Sequence, residues 1–275
     1  MPEGKERSIR SSVIGFDSAW TDKPGAPGAM CWVWFDEGRL TFVEPELVSF
    51  DRALEIIHRI AAECDHCLVA IDQPTIVPNL SSMRPVDRVA ASVISWAGGG
   101  VQPANRSKMG MFDDAAPLWR FKDRLGAAED PEDARTGRMG LHLIEVFPAL
   151  ALLSINERFF GRLQAPRYNP ARKKTFRAAD WLAVLNCVAE YASSLKLDRV
   201  ADWCNAQPLH IPRKADQDKL DSVICALAGI AWMTAPRDKL VMIGDTRTGY
   251  MISPASNAVE AKLRDAARRF GTPIA

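Results

Sequence analysis

Residues 67–74, Cys67-Leu68-Val69-Ala70-Ile71-Asp72-Gln73-Pro74, form an unbroken apolar run that closes on a carboxylate and stops at a proline. The run is too short for a helix and shows no alternation, which is the pattern of a strand buried on both faces. Just upstream, Ala53, Leu54, Ile56, Ile57, Ile60 and Ala61 recur at helical spacing across 51–63. Before that helix come an apolar run from Val13 to Phe16, then MCWVWF at 30–35 and RLTFVE at 39–44, the last two separated by Asp36-Glu37-Gly38. A short Gly-containing break between two such runs predicts a hairpin. Three strands, a crossover helix and a parallel fourth strand make a mixed sheet. Asp17 and Asp72 each end their strand, so both can face the crevice at the carboxyl edge, where α/β sheets bind ligands.

Downstream of Asp72, prolines and glycines interrupt the chain except for a predicted helix across 85–97, an excursion from the core. LHLIEVFP, 141–148, predicts a fifth strand that delivers Glu145 and stops at Pro148. Helices are expected at 178–195 and 198–205. Another begins at Ala215, where Leu220, Val223, Ile224, Leu227 and Ile230 keep helical spacing and Asp218 and Asp221 share one face near the amino end. KLVMIGD and YMISP, joined by TRTG, predict a closing hairpin, and NAVEAKLRDAARRF an amphipathic helix. The expectation is one α/β domain over 1–275, with insertions at about 75–138 and 156–210, a mixed sheet of about five strands flanked by helices, and a C-terminal hairpin plus helix.

With 275 residues and a formal net charge of +1, the chain has no global basic field, so any nucleic-acid contact must be local. The opening MPEGKERSIRSS is polar and lacks a signal-peptide core, and no stretch reaches the roughly 18 apolar residues of a membrane span. The chain therefore reads as soluble and cytoplasmic. The cysteines are scattered among apolar residues in the manner of reduced, buried thiols. Cys64 and Cys67 form a lone CxxC with no second pair to close a zinc site, which needs four ligands. One strong charge asymmetry stands out at 156–177, where Arg158, Arg162, Arg167, Arg172, Lys173, Lys174 and Arg177 oppose only Glu157. Such a run is either a solvated surface or a local anion contact.

The remaining signal is acidic. Asp17, Asp72, Glu145 and the pair Asp218 and Asp221 each border an apolar run, and a carboxylate buried at a strand end is unfavourable unless something compensates it. Convergent carboxylates without His or Cys suit a hard cation, Mg²⁺ or Mn²⁺. Acids in a first helical turn also serve as ordinary capping groups, an account that covers Asp218 better than Asp221. Glu145 could instead pair with an arginine.

GFDSAW (15–20), AIDQP (70–74), RPVDR (84–88), EVFP (145–148), the Asp218 to Ala226 stretch and IGDTRTGYMISP (243–254) occur in an order that resembles the ribonuclease H-like superfamily. Within it the chain is similar to a family of predicted nucleases classed as domain of unknown function 429. That resemblance implies phosphodiester hydrolysis with two divalent ions. Asp17 would bridge them, Asp72 and Asp221 would each complete one ion's shell, and Asp218 would be an alternative ligand or would support one. Around Asp218 the stretch departs from the family pattern in its neighbours, though the spacing to Asp221 is kept. Arg84, Arg88, Lys173 and Lys174 are the candidate contacts to a nucleic-acid substrate. RPVDR also reads as a helix start in which Asp87 pairs with an arginine. A non-catalytic nucleic-acid or protein-binding module on the same fold is a second reading. An actin-like phosphotransferase is a third, although it would need Gly-rich loops where SAWTDK and QPTIVP stand.

Overall fold

The structure is a computed structural model that describes residues 9–207 and 212–275. The polar lead-in at 1–8 and the end of the second expected insertion, from 208, lie outside the described residues. Three antiparallel strands open the fold: β1 (Ser11–Asp17), β2 (Gly28–Asp36) and β3 (Arg39–Val48). Glu37 and Gly38, at φ +47° and +79°, join β2 to β3 in the left-handed turn that suits the twist of paired strands. Helix α1 (Phe50–Ala62), capped by the Ser49 hydroxyl, crosses over to β4 (His66–Ile71), which lies parallel to β1.

After β4 come α2 (Pro85–Ala97), α3 (Pro117–Leu125), α4 (Pro131–Thr136), β5 (Gly140–Glu145) and α5 (Pro148–Ile155). Each of these helices carries a proline in its first turn. There the missing N–H would have had no intrahelical partner and the fixed φ is already helical. Proline read as a breaker accounts for α3, α4 and α5 being absent from the sequence expectation; Pro148 both ends a strand and starts a helix. The rest is α6 (Ala178–Ser194), α7 (Asp198–Asn205), α8 (Lys214–Thr234), β6 (Leu240–Asp245), β7 (Gly249–Pro254) and α9 (Asn257–Phe270).

The first five strands make one mixed sheet in the order β3-β2-β1-β4-β5, and β6 and β7 pair separately. Side-chain alternation divides the core between the two faces of that sheet. Ile14, Phe16, Val69 and Ile71 pack with α1 and α3 on one side. Val13, Leu68, Ala70 and Ile144 pack with α2, α5, α6, α8 and the β6–β7 hairpin on the other. This double coverage explains why CLVAI has no polar positions.

Helix α8 lies directly on the central strands. A Cβ added at Gly15 would overlap the Ser222 carbonyl and the Ala226 backbone, and one at Gly229 would press on Val13 and Ala70. Glycine is thus required at Gly15 by the close approach of helix and strand. No helix among the described residues is long and apolar enough to cross a membrane.

Candidate functional site

The register of the sheet aligns the first two acids. Phe16 pairs with Ile71 across β1 and β4, so Asp17 and Asp72 are neighbours just past that pair, on strands about 4.8 Å apart. The Asp72 amide donates to the Phe16 carbonyl at 2.9 Å. The residues that follow each acid stitch the two strand ends together. The Ser18 hydroxyl donates to Gln73 Oε1, Trp20 Nε1 donates to the Asp72 carbonyl at 2.9 Å, and Gln73 Nε2 donates to the Trp20 carbonyl at 3.4 Å. The DSAW and DQP motifs are therefore scaffolding for the carboxylates they contain.

The third acid comes from α8, whose contact at Gly15 carries its amino-terminal half to the end of β1. Asp221, buried, accepts from the Tyr168 hydroxyl at 2.7 Å on Oδ1 and from Gln217 Nε2 at 2.6 Å on Oδ2. Asp218 lies one turn nearer the helix start and pairs with Lys214. The first-turn acid that caps α8 is Asp216, whose carboxylate accepts from the Arg213 amide at 2.7 Å. Capping therefore explains neither Asp218 nor Asp221. Among the described residues, no donor is hydrogen-bonded to the carboxylate of Asp17 or Asp72.

The electrostatics reflect this crowding. Asp17 is pushed well above the ordinary carboxylate range by burial, then by Asp221 and Asp72. Burial and Asp221 do the same to Asp72. Asp221 is raised by burial to about 6, with the Tyr168 hydrogen bond and the Lys214 charge restraining it. Burial pulls the Lys214 ammonium down, yet Asp17 and Asp218 together hold it above its usual value. Asp17, Asp72, Asp218 and Asp221 line one cavity of about 570 Å³, whose rim includes Lys214, Asn169 and Arg172.

Four carboxylates without His or Cys, two of them lacking any donor, are a donor set that fits a hard divalent cation. Among the described residues, no three His, Cys, Asp or Glu side chains already stand together as a metal cage. Part of the reason is visible at Asp221, both of whose oxygens are turned to Tyr168 and Gln217.

Glu145 belongs to a different arrangement. It pairs with Ile71 rather than Asp72 across β4 and β5, one position back from the site acids, and is near enough to Asp72 to add to the rise in its pKa. Both of its oxygens accept from Arg84, at 2.6 and 2.8 Å, and one also accepts from the Thr75 amide at 3.1 Å. Arg84 is wholly buried. It also donates to Asp87 at 2.7 Å and to the Ile76 carbonyl at 3.0 Å, while Asp87 accepts from the Ala104 amide at 3.1 Å. Burial raises Glu145 and Arg84 pulls it back. Arg84, expected as a substrate contact, is thus corrected to an internal clamp that fastens residues 75–104 to the end of β5, and Glu145 is its partner.

Arg88, Lys173 and Lys174 are exposed, and none lines the acidic cavity. The basic segment contributes Arg172 there instead. Gln217 and Lys214 were also not anticipated, although each precedes an acid by four residues and so sits one turn below it on the same face. Tyr168 carries no local signal, since it meets Asp221 only through the tertiary fold. The cysteines are free thiols, buried except for half-buried Cys64.

A family model described as "Protein of unknown function (DUF429)" matches residues 15–247, a span that holds every acid discussed above. No curated protein and no solved structure matches the chain.

Proposed function

On the premise that this chain belongs to the DUF429 family of proteins of unknown function, we propose from the site itself that it is a metal-dependent nuclease acting on phosphodiester bonds. The observation that carries this reading is the pair of buried carboxylates, Asp17 and Asp72, set on neighbouring parallel strand ends without a compensating donor, with a third acid delivered by α8. Buried carboxylates crowded so that their pKa values rise are concentrated at metal and catalytic sites. The sheet, with three antiparallel strands, a crossover helix and parallel strands, is also what a ribonuclease H-like ancestry calls for.

Asp17, Asp72 and Asp221 would hold two Mg²⁺ or Mn²⁺ ions. Bound there, the ions would supply an activated water and stabilise the leaving oxygen. The chain's own residues do the rest. Tyr168 and Gln217 fix the carboxylate plane of Asp221, as groups behind a metal ligand commonly do. Lys214 neutralises Asp218 and softens the field at the cavity mouth. Arg172, exposed and without an acidic partner among the described residues, is placed to meet a phosphate.

A second reading, a binding module without catalysis, draws support from the engagement of Asp221 by Tyr168 and Gln217. The test is purified protein with Mg²⁺ or Mn²⁺ and a panel of labelled single-stranded, duplex, hybrid and junction substrates, beside Asp17→Asn. Cleavage that the substitution abolishes is expected. No cleavage, or equal cleavage by the variant, would remove the nuclease reading.

A further inference from the structure

The acids are recessed: Asp17 is 8 % and Asp221 5 % exposed, at the floor of a cavity walled by the turn after β1, the excursion before β5, the 166–175 segment and the start of α8. A second cavity, of about 320 Å³, adjoins the first and shares Asp72, Phe147, Asn169, Arg172 and Asp221 with it. The two lobes differ in chemistry. Trp20, Leu47 and Met111 give the first an apolar wall beside its acids, while the second sets Arg167 and Arg172 against only Asp72 and Asp221. Arg172 stands where they meet.

A duplex carries its phosphates on a stiff cylinder, with a persistence length of about 150 base pairs, so lowering one of them into a walled recess costs bending or opening of the helix. A single strand can splay a base away from its neighbours and stack it on an aromatic or apolar wall while cations follow the backbone. Resting on the reading of this site as one that acts on phosphodiesters, we propose that its substrate is single-stranded nucleic acid. One unstacked base lies against Trp20 and Met111, and the adjoining backbone runs past the acids onto Arg172 and Arg167.

The experiment uses the full chain carrying Asp17→Asn, so that strands stay intact, and follows the anisotropy of short labelled DNA and RNA single strands and of the same sequences as duplexes. Single strands should bind at least about tenfold tighter, the scale of one stacked base. Arg172→Ala should weaken that binding and lower the salt slope by about one, whereas Met111→Ala should weaken it at an unchanged slope. Equal or tighter duplex binding, binding of neither form, or a salt slope indifferent to Arg172 would overturn the proposal. Cleavage by the unsubstituted protein separates the two readings. Duplex cut in preference to single strands leaves the nuclease and removes this substrate class, while single strands bound selectively but never cut remove the nuclease and leave the occupant of the groove as stated.

Discussion

Asp17 and Glu145 are both buried carboxylates at strand ends that burial raises, but their charged neighbours act on them in opposite senses. Asp17 is repelled by Asp221 and Asp72 and has no hydrogen-bond donor among the described residues. Asp17→Asn should therefore stabilise the metal-free protein near neutral pH, raising its melting temperature by a few degrees at about 2–4 °C per kcal/mol for a chain of this size, while it weakens Mn²⁺ binding measured by calorimetry. Glu145 is held by two bonds from a wholly buried guanidinium. Glu145→Gln leaves that charge short of its partner and should cost about 3–5 kcal/mol in urea denaturation. If both substitutions shift stability the same way, the division between site acid and clamp acid is wrong. The sequence showed both as acids closing apolar runs, and nothing local separates them. Glu145 paired to an arginine was legible as an alternative because RPVDR offers one, but the identity of Arg84 as that partner depends on a contact 61 residues away.

At the scale of elements, the site depends on how closely α8 lies on β1. Helix and strand meet without a side chain between them at Gly15, and this brings Asp221 to Asp17. Gly15→Ala has to displace the helix and should cost about 1–3 kcal/mol, the usual range for overpacking, together with weaker Mn²⁺ binding. Gly25→Ala, with nothing within 4 Å of the added carbon, should change stability by less than about 0.5 kcal/mol. Equal losses in the two would deny the close-approach argument. The helical periodicity after Ala215 and the boundaries of α2 and α7 were readable because long amphipathic or well-punctuated segments carry their own pattern. The helices α3, α4 and α5 were hidden because proline means opposite things inside a helix and in its first turn.

For the molecule as a whole, the raised carboxyls make a pH signature. Asp221 titrates at about 6 in the fold against an ordinary 3.8, so between those values the folded chain keeps a proton that the unfolded chain has lost. Stability of the metal-free protein then falls as pH rises through that window, and Asp17 and Asp72, raised well above the same ordinary value, carry the decline further up. Burial of His66, with its neighbour His142, lowers its pKa and acts in the other sense, adding stability as pH climbs towards 6.5. The two contributions separate on comparing melts in EDTA with melts in Mg²⁺, because the histidine term is common to both. The gap should widen from about pH 5 to about pH 8, and at a hundredfold excess over the dissociation constant an ion adds about 2.7 kcal/mol. A gap that stays constant or vanishes would argue against ion binding by these acids.

The chain by itself determined the order of the strands and of the helices without a hidden proline start, and the sites where carboxylates interrupt apolar runs. Periodicity, turn residues and burial cost are local properties, and residues 67–74 with the helix and the hairpin before them pointed to a mixed sheet. The tertiary structure decided which of those acids meet. Register placed Asp17 beside Asp72 and set Glu145 one position out of line, where Arg84 takes up both of its oxygens. Packing at Gly15 brought in Asp221, and with it Tyr168, from a segment 53 residues away. A one-residue difference in pairing changes which groups a side chain meets, and only the assembled sheet fixes that pairing.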